Sequence, residues 1–158
     1  VSEPLLTVRD LCVDLQTDDE PVRLVHDVSL DVMPGETLCL VGESGSGKSL
    51  TALSILRLLP AGISIASGSI DFAGRELAAA SSRELRAIRG REIGFVCQDP
   101  LTALDPLVTV GRQVADALHS DDGRLSRKAQ RARVAELLET VGIPNPGSSF
   151  DRYPHEYS

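Results

Sequence analysis

An α/β fold is what this sequence predicts, and three observations carry that prediction. Apolar residues alternate through positions 5–32, a glycine-rich loop joins a short apolar run to an amphipathic helix, and the last third repeats its apolar residues at helical spacing.

Taken in order, the segments Leu5 to Leu15 and Val22 to Val32 place apolar side chains mostly at alternate positions (Leu6, Val8; Leu11, Val13, Leu15; then Leu24, Val28, Leu30, Val32). They predict two antiparallel strands joined by the polar, acidic turn Gln16 to Pro21. Pro34-Gly35 turns the chain into a third run, Thr37 to Val41, continuous and apolar as a strand buried on both faces should be. The loop Gly42 to Gly47 then opens a helix from Lys48 to Leu59, with Leu50, Leu53, Leu56 and Leu59 at helical spacing and Pro60 and Gly62 to stop it. A short strand (Ser69 to Phe72), a turn at Ala73-Gly74, a small-residue linker (Ala78 to Ser82) and a polar helix around Ser81 to Arg89 follow. An apolar run, Ile93 to Cys97, ends at Gln98. Beyond it the pattern is helical over Val110 to His119 and Ser126 to Val141. The second stretch puts Val134, Leu137, Leu138 and Val141 on one face before Gly142 and Pro144 end it.

Composition narrows the function classes. The chain has 158 residues, 42% of them hydrophobic, enough to bury a core and too many for a disordered tail. Its 23 acidic and 16 basic side chains give a formal net charge of −7, so no general attraction to nucleic acid or anionic lipid is expected. No stretch approaches the ~20 apolar residues of a membrane span, and the start lacks a signal-peptide layout. Cys12, Cys39 and Cys97 each sit inside an apolar run without C-x-x-C spacing, and read as reduced core residues of a cytosolic protein.

The chemistry lies in Gly42-Glu43-Ser44-Gly45-Ser46-Gly47-Lys48-Ser49, which fits G-x-x-x-x-G-K-[ST] between an apolar run and a helix. A phosphate chain is anionic. Inward-pointing amides backed by a helix N-terminus, which carries about half a positive charge, stabilise it without many basic side chains. Glycines let the backbone turn tightly and approach closely; Lys48 reaches the β- and γ-phosphates, and the Ser49 hydroxyl ligates Mg²⁺. A chance glycine turn before Lys-Ser arises in roughly one percent of chains this long at average residue frequencies. No N-K-x-D segment for guanine is present, which favours ATP. The tip of the second apolar run has two readings on residues alone: Asp99 closes a strand and holds Mg²⁺, or Gln98 touches the metal and the attacking water from a loop.

These residues resemble a family. The phosphate loop, the stretch Gln98-Asp99-Pro100-Leu101-Thr102-Ala103-Leu104-Asp105-Pro106, Thr109-Val110-Gly111 and the closing Tyr153-Pro154-His155-Glu156-Tyr157-Ser158 are similar to the ATP-binding subunits of oligopeptide and dipeptide ABC importers, from about Leu5 to Ser158. The resemblance implies a P-loop NTPase core of ABC ATPase type with an N-terminal antiparallel β portion and a helical subdomain, incomplete at its C-terminus. It places the N-terminal part of the core at 1–100 and the helical subdomain at 101–158, stopping inside the signature motif. The Walker B aspartate, general-base glutamate and switch histidine would lie beyond; His155 is a surface residue. By this resemblance Gln98 is the Q-loop glutamine, coupling the nucleotide site to the helical subdomain and the membrane partner. Lys48 and Gln98 then serve catalysis, Gly42 to Leu50 bind ATP, and Ser49 with Gln98 hold Mg²⁺.

The implied partners are transmembrane permease subunits, a second ATP-binding subunit in a homo- or heterodimer and, indirectly, a substrate-binding protein, at the cytoplasmic face of the membrane and without nucleic acid. The family commonly stacks adenine on an aromatic near Asp19 to Arg23. No aromatic precedes Phe72 here, leaving Val22 or the Arg23 stem as the substitute. Two other functions remain open: a non-catalytic nucleotide-binding module, since half of the active site is missing, and a soluble ABC ATPase.

Overall fold

The computed structural model describes residues 3–99, 103–118 and 126–157. The chain divides between Phe95 and Val96 into two units.

The first unit is built on a four-stranded antiparallel sheet of order β2-β1-β3-β4. Strand β1 (Leu6–Leu15) lies between β2 (Val22–Val32) and β3 (Ile63–Phe72), pairing Leu6 with Val32 on one side and with Phe72 on the other. The alternation in β1 slips phase between Val8 and Leu11, and the structure shows why. The ladder bulges there, Asp10 takes a left-handed backbone (φ 48), and Val8, Leu11 and Val13 are all buried in consequence. A second left-handed residue, Asp27 (φ 47), produces the matching slip in β2. Opposite the β1 bulge, Gly68 (φ 95) leaves room that a Cβ would fill, 2.6 Å from the carbonyl oxygens of both Arg9 and Asp10.

Strand β3 is longer than the sequence suggests, because Ser64, Ala66, Ser67 and Gly68 dilute the apolar alternation of Ile63 and Ile65 without breaking the ladder. Ala73 and Gly74, both left-handed (φ 51 and 78), turn the chain into the short β4 (Arg75–Glu76). The core under the sheet gathers Val8, Leu11, Val13, Val25, Ile70, Phe72, Leu77, Leu85 and Ile88.

Helix α1 (Lys48–Ile55) ends earlier than the leucine spacing predicts. Arg57 adopts a left-handed backbone (φ 49), and the Leu58 amide closes back on the Leu53 carbonyl at 2.9 Å. Helix α2 (Ser82–Ile88) starts on a reciprocal cap: the Ser81 hydroxyl accepts from the Glu84 amide, and the Glu84 carboxylate accepts from the Ser81 amide. At its far end Arg89 donates to the Leu56 carbonyl from both Nε (2.9 Å) and Nη2 (2.6 Å), satisfying an orphan acceptor at the end of α1.

Two expected strands are not formed. Thr37 to Val41 carries no ladder, and of Ile93 to Cys97 only Ile93 takes part in a single parallel bridge, with Arg89. Both runs are apolar enough for strands buried on two faces, but such strands need hydrogen-bonded ladders on both edges, and among the described residues neither run has a ladder on either edge. Val41 is 93% and Val96 88% exposed as a result. The same cause corrects the reading of the cysteines, since Cys39 is exposed and Cys97 half-buried while Cys12 alone is buried.

The second unit is helical. Helices α3 (Val110–Leu118) and α4 (Arg127–Thr140) bury Val110, Ala115, Val134 and Leu138 against one another, with Ile143, Phe150 and Tyr157 packed around them. Leu137 is half-buried, but Val141, predicted on the same face, is exposed because it caps the helix. The Ser126 hydroxyl accepts from the Ala129 amide at the start of α4. A short helix α5 (Pro146–Ser149) and a 3₁₀ turn (Pro154–Glu156) follow. Gly111 lets the chain at Phe150 pass directly over α3: its amide donates to the Phe150 carbonyl (3.1 Å), and the Val110 amide to that of Arg152 (2.9 Å). His155 is exposed. Residues Pro100 to Thr102, His119 and Ser158, which belong to the predicted segments above, lie outside the described residues.

Candidate functional site

The loop between the first apolar run and α1 builds the site. Gly45 and Gly47 are left-handed (φ 83 and 89), and Ser44 and Gly45 form its turn, closed by the Ser46 amide on the Glu43 carbonyl at 3.2 Å. Gly42 sits so close to Ser46 that a Cβ would come 2.7 Å from its hydroxyl oxygen. At the other end Gly47 rests on β2, where a Cβ would meet Val25 Cγ2 at 3.2 Å and the Leu24 carbonyl at 3.4 Å. The sequence pattern finds the loop but not this support, because the packing of Leu24 and Val25 has no local signal.

Lys48 organises the interior. Its ammonium donates to the carbonyls of Gly42 (2.8 Å) and Glu43 (2.6 Å) and to the Ser46 hydroxyl (3.1 Å), one acceptor for each of its three hydrogens. The charge is thereby held against the loop. Helix α1 begins its hydrogen-bond ladder with the Thr51 amide on the Gly47 carbonyl (2.8 Å), and the Thr51 hydroxyl doubles that contact at 3.0 Å. The amides of Lys48, Ser49 and Leu50 precede the ladder and have no acceptor among the described residues. No side chain caps this end, and its first turn carries no acidic residue. A helix N-terminus with free amides, an exposed Ser49 hydroxyl and a fixed ammonium is a receptor for an anion.

These observations decide the matter together with a family model. The model described as ABC transporter matches residues 25–158, most of the chain including this loop. The chain belongs to the ABC transporter family. A putative peptide import ATP-binding protein of Brucella abortus (strain 2308) is 46% identical over 155 residues, 98% of this chain and 46% of that protein's length. A dipeptide transport ATP-binding protein of Bacillus subtilis (strain 168) is 43% identical over 157 residues, 99% of this chain and 47% of its own length. The chain thus spans less than half the length of these relatives. Among solved structures, a dimeric ATP-binding cassette bound to ADP and Pi matches with a TM-score of 0.82 at 24% identity, covering 97% of this chain and 63% of that one. The fold is that of an α/β P-loop cassette of ABC ATPase type.

Within this ABC cassette the sequence-predicted residues fall into two groups. Gly42, Glu43, Ser44, Gly45, Ser46, Gly47, Lys48, Ser49 and Leu50 are brought together in the first unit. Gln98 belongs to the second unit, where it is exposed in a bend beside Asp99. Among the described residues no group of His, Cys, Asp and Glu is arranged to hold a metal ion by itself, and no helix is long and apolar enough to cross a membrane.

Proposed function

We propose that this chain is part of the ATP-binding subunit of a peptide ABC importer, binding ATP at Gly42 to Leu50. The observation that carries the reading is the loop itself: free amides of Lys48, Ser49 and Leu50 at one mouth and a Lys48 ammonium anchored at the other. The fit is chemical. Two left-handed glycines, and Gly42, where a Cβ would crowd the Ser46 hydroxyl, let the backbone surround a phosphate chain at close range.

Lys48 exchanges its bonds to Gly42, Glu43 and Ser46 for phosphate oxygens and keeps its charge within the loop. The amides of α1 orient the same oxygens. Ser49 and Gln98 are the residues that would hold Mg²⁺, which when bound neutralises charge on the β- and γ-phosphates. Gln98 carries the state of the nucleotide to the helical unit. Hydrolysis in such a site is largely positioning and charge stabilisation, so Lys48 and Gln98 act on the transferring group without becoming covalently attached to it.

Peptide as the transported solute is supported by the names of the relatives, and a second cassette by the dimeric solved cassette; permease subunits as membrane partners and a position at the cytoplasmic face of the membrane are what the importer reading entails. Calorimetric titration of the chain with Mg-ATP tests the reading: saturable binding lost in Lys48→Ala is expected, and absence of heat from the folded chain overturns it.

A further inference from the structure

Ser46 closes the phosphate loop on itself. Its amide donates to the Glu43 carbonyl at 3.2 Å, and its hydroxyl accepts from the Lys48 ammonium at 3.1 Å. The hydroxyl oxygen lies on the inner side of the loop, 2.7 Å from where a Cβ on Gly42 would stand, and the Lys48 stem passes 3.9 Å from the same point. Lys48 has three ammonium hydrogens and directs them to the Gly42 carbonyl (2.8 Å), the Glu43 carbonyl (2.6 Å) and Ser46. Two of these acceptors are backbone groups, the same whatever side chain stands there. The third belongs to a side chain, so it is the one that a substitution at its own position can remove.

We infer that the Ser46 hydroxyl competes with phosphate oxygens for the Lys48 ammonium, so that the residue at position 46 sets how tightly the loop takes a nucleoside triphosphate. An ammonium whose three hydrogens are all engaged bonds a phosphate only by releasing one of them. The bond to Ser46 is the longest of the three, and its acceptor is the only neutral hydroxyl among two strongly polar carbonyls, so it is the first to be released. Ser46 is exposed, and once released its hydroxyl bonds to water. Deleting the hydroxyl therefore removes an interaction that opposes binding and takes nothing from the bound loop. The inference rests on the reading of Gly42 to Leu50 as a nucleotide site and adds to it a side chain that holds affinity down.

The test is calorimetric titration of the whole chain with Mg-ATP, comparing wild type with three variants. Ser46→Ala is expected to tighten binding about threefold, the worth of one exposed hydrogen bond. Ser46→Cys keeps the shape with a weak acceptor and is expected to act in the same direction, so the result does not hang on alanine alone. Ser46→Thr, which puts the hydroxyl back, returns the affinity to the wild-type value; a merely structural role for Ser46 would instead make the alanine variant bind more weakly. Unchanged or weaker binding in Ser46→Ala and Ser46→Cys, or equal tightening by threonine, overturns the inference while leaving the nucleotide site in place. Absence of heat from the wild-type chain overturns the nucleotide reading and this inference with it.

Discussion

The Lys48 ammonium donates to the Gly42 carbonyl at 2.8 Å, tying the first residue of α1 to the first residue of the phosphate loop. With the bonds to Glu43 and Ser46 it makes a three-point contact that suits a compact ammonium and not a planar guanidinium. Lys48→Ala is therefore expected to lower Mg-ATP affinity by at least about tenfold, the loss of charge-assisted bonds worth roughly 1.5 to 3 kcal/mol each. Lys48→Arg should not restore it. Calorimetry on both variants checks this, and affinity recovered by arginine would mean that charge alone suffices.

Gly68 and Gly74 are both left-handed, yet they face different surroundings. A Cβ at Gly74 (φ 78) meets nothing within 4 Å, whereas at Gly68 (φ 95) it falls 2.6 Å from two backbone oxygens of β1. Gly74→Ala should cost about 1 to 2 kcal/mol for the backbone conformation alone. Gly68→Ala should add about 1 to 3 kcal/mol, because backbone cannot swing aside as a side chain can. Urea unfolding of the two variants separates the terms; equal midpoints would show that the β1 bulge relaxes freely.

Arg89 fastens the end of α1 from a distance of thirty-three positions in sequence, through two bonds to the Leu56 carbonyl and one to that of Arg57 at 3.0 Å. Arg89→Met keeps the apolar stem and removes the donors. It is expected to destabilise the first unit by about 1 to 2 kcal/mol and to speed hydrogen exchange at the Arg57 and Leu58 amides, which close that helix end. Unchanged exchange at those two amides would assign the capping to solvent.

How much of this was legible in the sequence follows from how local each feature is. The phosphate loop is a run of consecutive residues whose backbone demands are written as glycines at fixed spacing, so Gly42 to Ser49 can be read directly. The turn at Ala73-Gly74 and the helices α2, α3 and α4 are local in the same sense. Thr37 to Val41 and Ile93 to Cys97 differ from their expected strands because apolar composition marks a segment fit for a central strand, while strand formation depends on partners elsewhere in the chain. The Arg89 contact and the seating of Gly47 on Val25 are likewise long-range, with no signal beyond an arginine near a helix end and a valine in a strand. The Ser81-x-x-Glu84 cap is a local signal too, and it sets the start of α2 at Ser82, inside the small-residue stretch Ala78 to Ser82.

Acid should weaken the fold in a defined direction. The Ser81 hydroxyl and amide hold the Glu84 carboxyl below its usual value of 4.5, Arg75 does the same for Glu92, and Arg131 lowers Asp151. A carboxylate with a depressed folded-state pKa binds fewer protons folded than unfolded, so its contribution is fully present above the unfolded value and is lost as pH falls through the folded one. Stability is thus expected to decline below about pH 4.5 for the two glutamates, with a small amplitude because all these groups are exposed to solvent. Glu84→Gln should flatten that decline, as followed by thermal unfolding between neutral pH and the acid limb. An identical pH slope in the variant would rule out Glu84 as a contributor.

The base end of the nucleotide gives the last prediction. Gly47 sits on Leu24 and Val25, and Arg23 and Val22 continue along β2 at about 3.3 Å per residue. Arg23 is held by Asp14, Nε to Oδ1 at 2.6 Å, while Val22 is 50% exposed and offers only a small apolar face. An adenine reaching out of the loop along this strand would find no ring to stack on. Val22→Tyr is therefore expected to tighten ATP binding by about fivefold or more, since base–aromatic stacking is worth roughly 1 to 3 kcal/mol in single-stranded nucleic acid complexes. Val22→Leu, which adds apolar area without a ring, serves as the comparison in the same calorimetric titration. If tyrosine and leucine act alike, the base lies elsewhere than over the end of β2.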